Sequence, residues 1–268
     1  MPFMPFLRWA GGKSWLAPEL VKIVGNTSIQ HYHEPFLGGG ALFFQLNHTM
    51  KSYLSDSNED LINSYICVRD NPNKLIMFLE GYNNTDDDYY RIRDLQPNND
   101  IERAARFIFL NQTCYNGIFR VNREGQFNVP FGNRRWTLDT EKIIAASYKL
   151  RNTRIESCDF MANKHRIRPN DLIFFDPPYT ITQNGNGFNK YNSKRFSMDD
   201  QQRLSSYIDY IRRKGAFYIL TNAKHERVAE IFEKGDRRLE FQRKILVGGK
   251  NSKRELWTEF VFTNLPEG

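Results

Sequence analysis

Leu172-Ile173-Phe174-Phe175-Asp176-Pro177-Pro178-Tyr179 reads as a buried strand that stops abruptly at an acid, two prolines and an aromatic ring. Two consecutive prolines can neither extend a sheet ladder nor open a helix at once, so the chain has to turn outward behind Phe175. Pro177 offers a carbonyl without an N–H, Asp176 offers carboxylate oxygens, and Tyr179 offers a flat face. Together they suit a planar group that carries an amine, and the exocyclic NH2 of a nucleobase has that shape. The same residues also make a plain strand-closing turn, since Asp and Pro are common turn formers. Other parts of the chain have to decide between the two.

Outward from this point, strand-like and helix-like runs alternate on both sides of a middle third with a different pattern. Before it, 30–36 and 51–56 read as strands, and 39–46 and 59–69 as helices. After it, 153–158, 171–175 and 216–220 read as strands, and 139–150, 198–213 and 226–232 as helices. The runs 238–246 and 257–262 read as a closing antiparallel pair. The middle is helical over 73–79, 85–95 and 100–110, then alternates from Gly117 to Phe131 around Asn122-Arg123-Glu124-Gly125, which signals a β-hairpin. The expectation is one α/β domain interrupted by an insertion, a size that 268 residues with 40% hydrophobic content support.

Lys and Arg number 38 against 31 Asp and Glu, and the net charge of +7 favours a polyanionic partner. Aromatic residues at 14% suit base stacking beside phosphate contacts, or simply an aromatic-rich core. Cys67, Cys114 and Cys158 are widely spaced and form no Cys-x-x-Cys pair, which indicates neither a disulfide framework nor a zinc site and points to a reducing, cytoplasmic setting. The histidines lack metalloprotease spacing, and no metal is expected. Asp86, Asp87 and Asp88 invite a metal reading, but Thr85 ahead of them is a good N-cap and first-turn acids favour the helix dipole. The opening Met1-Pro2-Phe3-Met4-Pro5-Phe6-Leu7 is broken by prolines and soon meets Arg8, so it reads as no signal peptide. No apolar stretch is long enough for a bilayer.

Gly38-Gly39-Gly40 follows the first expected strand and opens a helix, where backbone N–H groups can approach a ligand. Asp56 ends the next expected strand, close to the roughly 20-residue spacing from the glycines at which an acid meets ribose hydroxyls in dinucleotide folds. No Gly-x-Gly-x-x-Gly is present, so a nicotinamide cofactor is the weaker choice. Trp9-Ala10-Gly11-Gly12-Lys13 looks like the tail of a phosphate loop, but Leu7 stands where that loop needs its first glycine. Lys13 and Trp9 read either as lining a cofactor pocket or as a surface lysine and a core tryptophan.

Taken in order, Trp9-Ala10-Gly11-Gly12-Lys13, Glu34-Pro35-Phe36-Leu37-Gly38-Gly39-Gly40, Asp56-Ser57-Asn58, Tyr115-Asn116-Gly117-Ile118-Phe119-Arg120-Val121-Asn122, Phe127-Asn128-Val129-Pro130-Phe131-Gly132 and Asp176-Pro177-Pro178-Tyr179 resemble the blocks of the Dam-like DNA adenine-N6 methyltransferases (D12 class, alpha group). The resemblance spans nearly the whole chain. It implies the S-adenosylmethionine-dependent methyltransferase fold, a mixed seven-stranded sheet with helices on both faces. Residues 1–56 and 146–268 would form the cofactor-binding and catalytic domain, and 57–145 an inserted, mainly helical target-recognition domain with a hairpin. It further implies S-adenosyl-L-methionine as cofactor, held by Trp9, Lys13, Phe36, Gly38, Asp56 and Asp176, with Asp56 on the ribose hydroxyls.

The implied substrate is an adenine flipped out of a short duplex site, GATC, as in restriction-modification systems, at an unstacking cost of roughly a few kcal/mol. The adenine N6 lone pair is delocalised into the ring, so Asp176 and the Pro177 carbonyl would accept its hydrogens and favour a tetrahedral nitrogen while Tyr179 stacks. Arg8, Asn116, Ile118, Arg120, Asn122 and Pro130 are the implied DNA contacts, Asn116 and Ile118 at the vacated base, Arg120 on a guanine and Pro130 beside a thymine methyl. Arg8 stands where the family often has lysine, and Ile118 where it often has leucine. Arg123, Arg134 and Arg135 read as phosphate contacts. The loop Thr180 to Arg195 and the basic run Lys250 to Arg254 look particular to this chain and are expected to be mobile until DNA binds. The enzyme is expected to act as a monomer without a protein partner. The same pocket would also suit an amino group of RNA or N4 of cytosine, and a catalytically silent DNA-binding relative is the reading from another class.

Overall fold

The computed structural model describes residues 3–47, 50–132, 134–179, 196–246 and 254–267, so the 180–195 loop and residues 250–253 of the basic run lie outside the described residues. The sheet has seven strands in the order β3-β2-β1-β4-β5-β7-β6, where β1 is Tyr32–Glu34, β2 Ser52–Asp56, β3 Thr153–Ser157, β4 Leu172–Phe175, β5 Phe217–Ala223, β6 Arg237–Leu246 and β7 Arg254–Thr263. The pairs β2 with β3, β1 with β4 and β4 with β5 are parallel, whereas β7 runs antiparallel to both β5 and β6. The expected strands are therefore present, with β5 running on to Ala223 beyond its expected end. A helix at Ala17–Val24 (α1) was not foreseen.

The chain divides into two compact units, 1–21 with 37–159, and 22–36 with 160–268. In the first, helices α2 (Ala41–Gln45), α3 (Glu59–Asp70), α4 (Pro72–Glu80), α5 (Asp86–Asp94), α6 (Asp100–Thr113) and α7 (Thr140–Leu150) accompany β2 and β3. Their starts are written in the sequence. Asn58, Thr85, Asn99 and Asp139 each accept a hydrogen bond from a first-turn backbone N–H, which satisfies a donor the helix cannot. Asp86, Asp87 and Asp88 are thus first-turn acids of α5. Helix α6 runs through the middle of this unit, packed on α3, α4 and α5, with Phe107, Ile108, Phe109 and Leu110 buried.

Lys149 of α7 carries an unusual burden. Its Nζ lies 2.5 Å from the Leu46 carbonyl, near the rings of Phe3 and Phe43, and burial pulls its pKa down to about 8. The unfolded chain holds that proton more tightly, so stability should rise as pH climbs from about 8 toward the ordinary lysine value. In urea titrations at pH 7.5, 8.5 and 9.5, wild type should gain stability relative to Lys149→Met. A parallel pH dependence of the two proteins would refute this.

In the second unit, α8 (Met198–Arg213) and α9 (Glu226–Phe232) cover one sheet face. Leu204, Tyr207, Ile208 and Ile211 of α8 pack with Ile173, Phe175, Tyr218, Leu220, Phe260 and Phe262. Alternation along the strands then assigns Thr221 and Glu259 to the opposite face. At the start of β4 the buried Asp171 is held by His31 at 2.8 Å and His33 at 3.1 Å, tying β1 to β4 at the end remote from Asp176. Burial raises the Asp171 pKa, but hydrogen bonds from His33, the Arg168 N–H and His31 outweigh it and leave the acid below its ordinary range.

Candidate active site

In the first unit the glycine turn is built around a tryptophan. Gly38 has φ +46°, and a Cβ there would stand 2.7 Å from Cδ1 and 2.8 Å from Nε1 of Trp9, so only glycine lets the indole come this close. Asp56, at the end of β2, accepts from the Gly38 N–H at 3.1 Å through one oxygen and from the Asn58 N–H at 3.0 Å through the other. The Gly38 carbonyl in turn accepts from the Tyr65 hydroxyl at 3.1 Å. Trp9, Gly38 and Asp56 are thus brought together, as the sequence led one to expect. A carboxylate oxygen accepts more than one hydrogen bond, so bracing the turn and meeting a ribose are compatible tasks. Lys13 is 3% exposed, not a surface lysine, and its Nζ donates to the Gly11 carbonyl at 2.9 Å.

In the second unit, the strand ends of the parallel neighbours β1 and β4 carry the other expected residues. The strand order reverses at this pair, and open α/β sheets bind ligands outside the carboxyl ends of such strands. Phe36 leaves β1 there, stacked on Phe160 with centroids 5.2 Å apart and edge-on to Phe175 at 6.4 Å. Asp176 leaves β4 beside it, half-buried, with one oxygen 2.7 Å from the Thr221 hydroxyl. The hydroxyl of Tyr179 donates to Glu259 at 2.9 Å. Burial, then the nearby Asp176 and Glu259 carboxylates, push the Tyr179 pKa well above its ordinary value, so the phenol stays a neutral donor. The arrangement supplies a fixed acid, the Pro177 carbonyl and a tyrosine whose hydroxyl is tethered.

The 117–131 segment reverses direction as expected, but through isolated antiparallel pairings, Val121 with Phe127 and Cys114 with Phe131, not through two continuous strands. Pro130 has no N–H for a ladder, and side chains take over part of the pairing. Asn122 closes the turn, accepting from the Glu124 and Gln126 N–H groups and donating to the Gln126 side chain. Arg120 donates from Nε to the Asn128 side chain at 2.8 Å and from Nη2 to the Asn128 carbonyl at 2.9 Å. Ile118 is half-buried and Pro130 exposed. Asn116 is exposed in the left-handed region at φ 54°, and the neighbouring Gly117 leaves room for Arg8, whose Cβ would lie 2.9 Å from a glycine-borne methyl. The main-chain N–H and carbonyl of Arg8 exchange two hydrogen bonds with the side chain of Asn111, on α6. Burial and the like charge of Arg134 lower the Arg8 pKa.

A family described as D12 class N6 adenine-specific DNA methyltransferase matches residues 9–247. The chain belongs to this family. The Type II methyltransferase M1.LlaDCHI of Lactococcus lactis subsp. cremoris is 34% identical over 97% of this chain and 95% of its own length. The Type II methyltransferase M.MjaIII of Methanocaldococcus jannaschii is 35% identical over 83% of this chain and 85% of its own. A DNA adenine methylase of Haemophilus influenzae is 32% identical over 81% of this chain and 78% of its own. The protein is an adenine-specific DNA methyltransferase. Among the described residues, no helix is long and apolar enough to cross a membrane.

For this methyltransferase, sequence reasoning singled out the residues of the local blocks and missed those that hold them from elsewhere. Asn111, Thr221 and Glu259 went unremarked, and Asn128, which lies inside one of those blocks, was given no role of its own. Glu259 carried a usable signal, an acid inside the buried run that continues as Phe260-Val261-Phe262, and it is 0% exposed.

Proposed function

We propose that the protein moves a methyl group from S-adenosylmethionine to N6 of an adenine flipped out of duplex DNA, at GATC sites. The observation that carries this reading is the strand end at Asp176, where a carboxylate tied to Thr221, a proline carbonyl and a tethered tyrosine follow the switch-point strand β4. An adenine amino group has two hydrogens, and Asp176 and the Pro177 carbonyl are the two acceptors. Accepting both draws the nitrogen toward a tetrahedral geometry with its lone pair free to react, while Tyr179 stacks on the ring. Asp176 or solvent then takes the proton that the methylated nitrogen sheds.

The first unit suits the cofactor. The buried glycine turn at 38–40, whose lack of side chains lets Trp9 and Tyr65 pack directly on its backbone, fixes that backbone for a ligand, and Asp56 beside it offers carboxylate oxygens for a ribose. Trp9 and Lys13 complete that set, and Phe36 is assigned to its methionine end. When bound, S-adenosylmethionine supplies a methyl activated by a sulfonium. Residues 57–145 are assigned to target recognition, with 1–56 and 146–268 as the catalytic domain.

Incubation with methyl-labelled cofactor and duplexes of varied sequence, alongside single strands and RNA, tests the proposal. Label should enter adenine of GATC duplexes; label in RNA or in cytosine, or none at all, refutes it. Arg120 is assigned to a guanine of the site, its guanidinium plane fixed by Asn128. Arg120→Ala should relax discrimination at one base pair by about 1–3 kcal/mol, read as kcat/KM ratios across singly substituted duplexes. Uniform weakening across all sequences would instead assign Arg120 to phosphate.

A further inference from the structure

Sheet register brings two residues distant in sequence to the proposed reacting end. Phe175 pairs with Leu220, so the next step along both parallel strands sets Asp176 beside Thr221. On the neighbouring antiparallel strand Ala223 pairs with Glu259, and paired residues face the same way. Thr221 and Ala223 share a face by alternation, so Thr221 and Glu259 are diagonal neighbours on one side of the sheet.

We propose that Thr221 and Glu259 are positioning residues, Thr221 for the Asp176 carboxylate and Glu259 for the ring of Tyr179. The proposal rests on the roles given above to Asp176 and Tyr179. The Thr221 hydroxyl has one proton and lies 2.7 Å from the Asp176 carboxylate and 3.3 Å from the Phe175 carbonyl, and it also meets the Tyr179 hydroxyl. The charge-assisted, shorter bond takes that proton, which fixes the carboxylate plane from the sheet side. Glu259 is fully buried, and taking a carboxylate out of water is costly unless its partners compensate. Its partners include the Tyr179 hydroxyl at 2.9 Å, while Arg243 Nη2 lies 3.7 Å from its other oxygen. A tyrosine held at both its backbone and its hydroxyl cannot swing its ring away from a stacked base.

The test separates positioning from folding by measuring single-turnover methyl transfer, DNA and cofactor dissociation constants, and thermal melting. Thr221→Val should slow the chemical step about 10- to 100-fold with both dissociation constants within about twofold of wild type, because small misplacements are costly once substrate is bound. Thr221→Ser, which keeps the hydroxyl, should recover to within about threefold. Glu259→Leu should slow the step about 10-fold, and Glu259→Gln, which keeps an acceptor for the phenol, should recover most of it. Wild-type rates in the Val and Leu variants overturn the proposal, as do Ser and Gln variants no faster than these. If Thr221→Val and a second variant, Thr221→Ala, both fail to fold while serine folds, the hydroxyl serves stability and the proposal is overturned. An inactive Asp176→Ala beside a normal Thr221→Val sinks this inference alone, whereas an active Asp176→Ala sinks the reading beneath it.

Discussion

Asp176→Ala is expected to slow single-turnover methyl transfer to adenine by about 10²- to 10³-fold, the scale on which one preorganised electrostatic contact counts. DNA affinity should stay within about twofold, since the acid is assigned to the reacting amine and not to the duplex. The alanine leaves the Pro177 carbonyl as sole acceptor for the two amino hydrogens, so the nitrogen keeps its lone pair in the ring. The fold should survive, because Asp176 is half-buried at a strand end and the Thr221 hydroxyl that meets it can turn to the Phe175 carbonyl instead. Labelled-cofactor transfer measured beside filter binding and a melting curve checks all three statements. A variant that methylates at the wild-type rate would leave the acid as a turn former, the plainer reading that its four-residue motif also allows.

That ambiguity marks how far the chain can be read without its structure. Asp176, Pro177 and Tyr179 are legible because their chemistry is contiguous, and the apolar run before them announces a strand. Thr221 follows Asp176 by 45 positions and Glu259 follows Tyr179 by 80. Nothing local links them, because the link is register between β4, β5 and β7. The end of β5 shows the same limit. The apolar run stops at Leu220, which suggests a strand end, yet the ladder continues through Thr221 and Asn222 to Ala223 because β7 pairs with it there. Of the two polar residues that shorten this strand on paper, Thr221 is the one facing the site. The 117–131 segment errs the other way. Its alternation is real, but Pro130 cannot donate and Asn122 and Asn128 divert backbone and guanidinium groups, leaving isolated bridges where alternation alone suggests strands. The short helix α1 went unread because its eight residues offer little more than two turns of periodicity.

Gly38→Ala should be the most damaging methyl addition in the first unit's turn, with a stability loss of about 2–4 kcal/mol and a matching fall in cofactor affinity. Two costs combine. At φ +46° an alanine pays for left-handed backbone, and its Cβ would press on the Trp9 indole at 2.7–2.8 Å. Neither side yields readily. Trp9 is stacked on Phe119, with planes 18° apart, and Gly38 is held through its N–H by Asp56 and through its carbonyl by Tyr65. Gly125 isolates the first cost, since it has φ +79° and nothing within 4 Å of an added Cβ. Gly125→Ala should therefore lose only about 1 kcal/mol. The double variant Gly38→Ala with Trp9→Ala should recover the steric share relative to Trp9→Ala alone, leaving a backbone cost similar to that at Gly125. Urea unfolding of the set decides the matter: if Gly38→Ala is no worse than Gly125→Ala, the indole moves aside freely and the turn is not the rigid cradle that close cofactor approach requires.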